Sequence, residues 1–324
     1  MPAVVNVQTT VGAILLGCML SVALSGIVAA QTFLYFKLYP KDLFRIKAIV
    51  TTIWLLDAIH SCLISSASWD YVILNWGNGD VADVINTSVA LTVACTALVT
   101  VVVHLFFCHR VFRLSKSNYW ITAPLVFLAI VRLALAMVTT SSMMRLGRWS
   151  IFIHQFSWCI TMGLALSSAL DILIAGSLVY LLQTSRSALG TVDHVINVIM
   201  IHTFNNGALT CITTILSMVM WLVKPHTLIF LGLHFTITKL YANSLLATLN
   251  TRKTLRGRSA QSGSDHPMSV MFPNSFRRGN NGAQDLSAEQ TGTKLQINVE
   301  KTIQYDIDGP SGRVISTNSS PSPQ

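Results

Sequence analysis

Four ionisable residues interrupt long apolar stretches: Asp57 in "IWLLDAIHSC", Arg132 in "VFLAIVRLALAM", Asp171 in "LSSALDILIAG" and Lys239 in "LHFTITKLYANS". A charged side chain at the centre of a bilayer costs ~3 kcal/mol on insertion scales, so each needs an opposite charge, a ligand or water. Counting ~1.5 Å per residue from the nearest basic loop puts Asp57 and Lys239 both about 15 Å deep, and Arg132 and Asp171 both about 20 Å deep. Two acids therefore match two bases by depth, and Lys239 is expected to meet Asp57, with His60 one turn along. The chemistry open to such residues is a structural ion pair, a polar ligand cavity, or a relay of protons.

His60, His104, His202 and His234 add imidazoles to the same stretches, and Asn205 with Asn206 adds two amides. A metal site wants ligands at one depth, usually two on one helix face as in H-x-x-x-H, and Thr238 stands where a second histidine would follow His234. Neither a metal nor a haem is expected, and no cofactor. No serine–histidine or two-carboxylate set is legible, so the chain does not read as an enzyme. The candidate ligand or ion cavity comprises Asp57, His60, Arg132, Asp171, Asn205, Asn206, His234 and Lys239.

The elements that carry these residues follow from composition. Of the 324 residues, 52% are hydrophobic and 11% charged, and the apolar residues come in runs of about twenty, the length that crosses a hydrocarbon core. Lipid leaves helices as the economical way to satisfy the backbone, and the runs lack the alternating polarity of a transmembrane barrel. The fold class expected is an all-α membrane protein, a seven-transmembrane-helix bundle with helices near 11–36, 48–69, 84–108, 119–140, 157–183, 195–223 and 227–249. A short segment, 1–10, precedes the seven-helix domain at 11–249. A tail at 250–324, rich in Ser, Thr, Asn, Gly and Pro, is expected to be disordered because it has too little apolar surface to offset ordering entropy.

One set of loops carries twelve Lys and Arg residues and the opposite set three, Arg145, Arg148 and Lys224. Positive charge stays in the cytoplasm, which puts the amino terminus outside and the tail inside. The net charge of +9 is this bias, with an attraction to anionic membrane lipid, and gives no nucleic-acid reading. The six cysteines lie within or at the ends of the helices and read as packing groups, not disulfides. Asn86-Thr87-Ser88 is a glycosylation sequon too close to the third helix for ready use. Small residues recur at helical spacing as Gly17, Ser21, Ser25, Ala29 and as Gly163, Ser167, Asp171, Ala175, rows that let helices approach closely.

The stretches "LYPKDLFRIKAIVTTIWLLDAIHSC", "HLFFCHRVFRLSKSNYW", "LSSALDILIAGSLVYLLQTSRS" and "LIFLGLHFTITKLYANSLLATLNTRK" resemble a family of fungal seven-helix integral membrane proteins catalogued as domain of unknown function 6534. The resemblance implies seven helices and a membrane location, and supplies no activity. Rhodopsin-like receptors would want an acidic-arginine-aromatic triplet and an N-P-x-x-Y run, where this chain has "CHRVF" and "LYANS". Microbial rhodopsins carry a Schiff-base lysine in the seventh helix with an aspartate four residues earlier, where this chain has Phe235. The expected function is receptor-like, with a ligand or solute cavity in the bundle and a cytoplasmic tail that engages a protein partner, at the plasma membrane. A proton-linked small-solute transporter or a non-catalytic membrane scaffold is the alternative.

Overall fold

The structure, a computed structural model, describes residues 11–186, 193–225 and 227–252, with 185–186, 193–204 and Asn206 given by backbone alone. The expected amino-terminal segment and the tail beyond Arg252 lie outside the described residues, as does the side chain of His202. Among the described residues seven α-helices run in order: α1 (Val11–Leu38), α2 (Phe44–Trp69), α3 (Thr87–Leu114), α4 (Tyr119–Leu146), α5 (Trp149–Arg186), α6 (Asp193–Val223) and α7 (Ile229–Asn250). Among the described residues the only β pairing is an isolated bridge between Val84 and Arg148.

Local chemistry sets the boundaries. Asn86 and Asn118 cap α3 and α4, each side chain accepting from the backbone N–H two residues on, at Ser88 and Trp120. Gly147 ends α4 at φ 65°, a left-handed conformation that glycine adopts without strain, and only Arg148 separates it from α5. α3, α4 and α5 each extend beyond the ranges read from sequence, to Leu114, to Leu146 and back to Trp149. Hydropathy marks the hydrocarbon-crossing portion, whereas backbone hydrogen bonding carries a helix on for further turns into polar surroundings.

Among the described residues five helices are long and apolar enough to cross a membrane: α1, α2 with its continuation to Leu74, α3, α4 and α5. Large apolar side chains such as Leu16, Phe33, Phe127 and Ile212 point outward. This is the surface of an integral membrane protein. Within the described side chains of α6, Gly207–Val223 is also apolar. α7, interrupted by His234, Lys239 and Asn243, is the exception that explains itself. It packs against α1, α2, α3 and α6, and most of its 22 residues are buried. A helix shielded from lipid by its neighbours can carry polar groups on most of its faces.

The acidic segment after α2 is ordered as two short helical turns, Asp70–Leu74 and Gly79–Asp83. Asp83 accepts from the backbone N–H of Ser150 at 2.7 Å and from its hydroxyl at 2.8 Å, capping α5. Ile85 N–H donates to the Gly147 carbonyl at 2.9 Å, and Tyr71 donates to the carbonyl of Val84. The segment is thereby fastened to the α4–α5 turn at one end of the bundle.

Candidate functional site

α7 positions the polar groups in two stripes set by its 3.6-residue period. His234, Thr238 and Tyr241 follow one another at i, i+4 and i+7, and Lys239 lies about 100° round from Thr238 on the side facing α2. Lys239 is fully buried, and its Nζ lies 2.8 Å from Asp57 Oδ1. The ammonium donates to the Asp57 carbonyl at 2.9 Å and to Ser61 Oγ at 2.6 Å. Ser25 of α1 donates to the second carboxylate oxygen of Asp57, and Ser61 lies 3.1 Å from Ser25. Depth matching thus places these two charges correctly, and the hydroxyls of Ser25 and Ser61 complete a pair closed to solvent.

Beside this pair, His60 Nε2 lies 3.3 Å from Thr96 Oγ1 and 3.2 Å from Thr238 Oγ1, which are themselves 2.7 Å apart. This triad ties α2, α3 and α7 together. Thr96 and Thr238 were not singled out by sequence reading, because a threonine in a helix normally spends its hydroxyl on the preceding turn, as Thr96 also does toward Thr92.

Asp171 does not meet Arg132, the partner that depth alone suggests. His104 Nε2 lies 3.2 Å from its Oδ1, and the Tyr241 hydroxyl donates to its Oδ2 at 2.8 Å. Arg132 instead donates through Nε to Ser167 Oγ at 2.7 Å, one turn of α5 away from Asp171. Equal depth fixes one coordinate of a helix position, while an arginine side chain spans about a helical turn and settles where a donor geometry is free. Tyr241→Phe removes one of the two groups on the Asp171 carboxylate, and is expected to cost ~1–3 kcal/mol, read as a lower unfolding temperature of purified protein. A Phe variant as stable as the parent would show that Asp171 is satisfied by His104 alone.

Arg132 and His234 share a cavity of about 50 Å³ between α3, α4, α5, α6 and α7, toward the end of the bundle that carries the α4–α5 turn. Gly163 leaves one wall open, and Met143, Leu164 and Phe230 make others apolar. Arg132 is 6% exposed, with Nη1 buried and lacking a hydrogen-bond partner, and His234 Nε2 is in the same condition. Asp57, His60 and Lys239 do not line this cavity. Asp171 and His104 line a smaller one, about 30 Å³, next to it in the bundle. Asn205 is exposed and faces neither, and the side chain of Asn206 lies outside the described residues. Asn86, as helix cap and donor to Asp70, has its amide engaged on both sides.

The opposite end of the bundle is held by a clasp. Arg252 pairs with Asp42 at 2.5 Å and lies over the Tyr39 ring, 4.4 Å from its centroid. Tyr35 donates to Asp42 at 2.9 Å, Tyr39 donates to the Asn250 carbonyl at 3.0 Å, and the Asn250 amide donates to the Gln31 carbonyl at 2.9 Å. Residues 250–252, which composition assigns to the polar tail, are therefore anchored to α1 and the α1–α2 loop, because a guanidinium and two tyrosines supply the partners that a short polar run lacks by itself. Asp42 and Tyr39 carried no signal in the sequence, since neither lies in an apolar stretch.

No curated protein and no solved structure matches the chain. Residues 167–254 match the model of a family of unknown function, DUF6534. That span holds Ser167 and Asp171 on α5, all of α7 with His234, Thr238, Lys239 and Tyr241, and the Asn250–Arg252 half of the clasp. The groups that organise the bundle's polar interior thus sit largely in the segment that is similar to the DUF6534 family.

Proposed function

We propose that the protein is a receptor-like seven-helix membrane protein, with its amino terminus outside, its tail in the cytoplasm, and a ligand cavity in the outer half of the bundle. The observation that carries this reading is the separation of parts along the bundle: a cavity with open donors lies toward the α4–α5 turn, and the clasp holds the start of the tail at the other end. The Lys/Arg asymmetry between loops assigns the cavity end to the outside and the clasp to the cytoplasm. The buried Lys239–Asp57 and His60 groups lie between them, so a ligand that shifts α7 acts on the clasp through one continuous helix. The proton-linked carrier is the weaker reading, because Lys239 and Asp57 are closed off from the cavity. A cytoplasmic partner would engage the hydroxyl-rich segment that follows Arg252.

The test uses full-length protein in nanodiscs, screened with small solutes for a rise in unfolding temperature. A solute that binds is expected to change amide hydrogen exchange at residues 247–252 without crossing the membrane. Flux of that solute into sealed liposomes bearing the protein would overturn the receptor reading in favour of a carrier.

A further inference from the structure

We infer that the cavity at Arg132 and His234 binds the carboxylate of a small monocarboxylic acid, an inference that rests on the cavity being the ligand site proposed above. The donors facing it decide the class. Thr139 donates to the Leu135 carbonyl at 2.8 Å and Ser217 to the Phe230 carbonyl at 3.1 Å, so both hydroxyl protons in the wall are spent. Arg132 Nη1, Trp149 Nε1 and the His234 ring nitrogen Nε2 are buried and have no hydrogen-bond partner. Both oxygens of Asp171 are taken by His104 and Tyr241, and among the described residues no carboxylate stands within ion-pair distance of Arg132. A desolvated guanidinium with an unpartnered Nη1 calls for an acceptor bearing negative charge, which a carboxylate oxygen supplies.

Size and charge narrow the choice further. A cavity of about 50 Å³ has room for only a few water-sized groups, the scale of acetate or propionate. Among the described residues Arg132 is the one fixed cation in its lining, so a dianion such as phosphate would bring a second negative charge into the interior without compensation. Met143, Ile160, Leu164 and Phe230 offer the apolar contacts that a short alkyl group takes and a halide does not.

Propionate titrated into full-length protein in nanodiscs, in chloride-free methanesulfonate buffer, is expected to raise the unfolding temperature saturably, while uncharged propionamide is not. Arg132→Gln should weaken propionate binding about tenfold or more, the effect of losing a hydrogen bond to a charged group. Gly163→Leu keeps every polar group and projects a side chain into open space within the cavity, so it should fold with an unchanged or higher unfolding temperature and bind no propionate. Equal binding of propionamide, equal stabilisation by chloride, or wild-type affinity in Gly163→Leu would each overturn the assignment. Propionate binding with no change at residues 247–252 would keep this site and sink the receptor reading. A different solute that moves those residues while propionate is inert would do the reverse.

Discussion

Lys239→Ala is expected to destabilise the protein by ~3–5 kcal/mol, the range seen when one partner of a buried ion pair is removed. Asp57 would remain as a carboxylate 1% exposed, with Ser25 as its hydroxyl donor and nothing to balance its charge. Folded proteins have about 5–15 kcal/mol in total, so most of the margin goes, and folded yield after extraction should collapse. Asp57→Ala leaves the ammonium on the Asp57-position carbonyl and Ser61 alone, and should be comparably damaging. Replacing both at once, Lys239→Met with Asp57→Leu, removes both charges and restores volume, so its unfolding temperature should lie above that of either alanine variant. The coupling between neighbours of this kind runs ~0.5–3 kcal/mol. A double variant whose loss equals the sum of the two single losses would show that the two charges do not stabilise each other.

How far the sequence anticipates this interior depends on which coordinate is asked for. Position along the membrane normal is readable, because helices rise steadily and basic loops mark one face; this is why Lys239 and Asp57 pair by counting. Rotation about the helix axis is not, since it depends on which helices flank α7, and that is a property of the assembled ring. Arg132 and Asp171 show the consequence: equal in depth, they settle on different partners, Ser167 for one and His104 with Tyr241 for the other. Tyr241 was recoverable, lying seven residues from His234 and so on the same stripe of α7. The cavity was not, because it arises where Gly163 and the ends of five helices leave a gap, and a gap has no residue of its own. The membrane reading came from composition and stands on the five long apolar helices. Among the described residues α7, with its polar interruptions, is not one of the five long apolar helices.

Gly17→Ala is expected to be nearly as damaging in kind, for a reason that involves no charge. A Cβ at Gly17 would meet the backbone of Gly232 on α7, 2.6 Å from its oxygen and 2.8 Å from its carbonyl carbon. Backbone atoms cannot rotate away as a side-chain tip can, so α1 must move outward as a body. Overpacking of this kind costs ~1–3 kcal/mol in well-packed interiors. Here the displacement also stretches the Ser21 bond to the Phe235 carbonyl, 3.2 Å, and the Ser25 bond to Asp57, so the damage reaches the Lys239 pair from the far side. Gly26, on the same helix, is the internal control, because nothing lies within 4 Å of where its Cβ would stand. Gly26→Ala should be neutral or gain up to ~1 kcal/mol from the better helix propensity of alanine. The two alanines are identical in chemistry and in helix, so the difference between their unfolding temperatures isolates the α1–α7 approach. If Gly17→Ala unfolds at the same temperature as Gly26→Ala, α1 is not held against α7 at this glycine pair, and the row Gly17, Ser21, Ser25 loses its role as the seam that brings Ser25 to the ion pair.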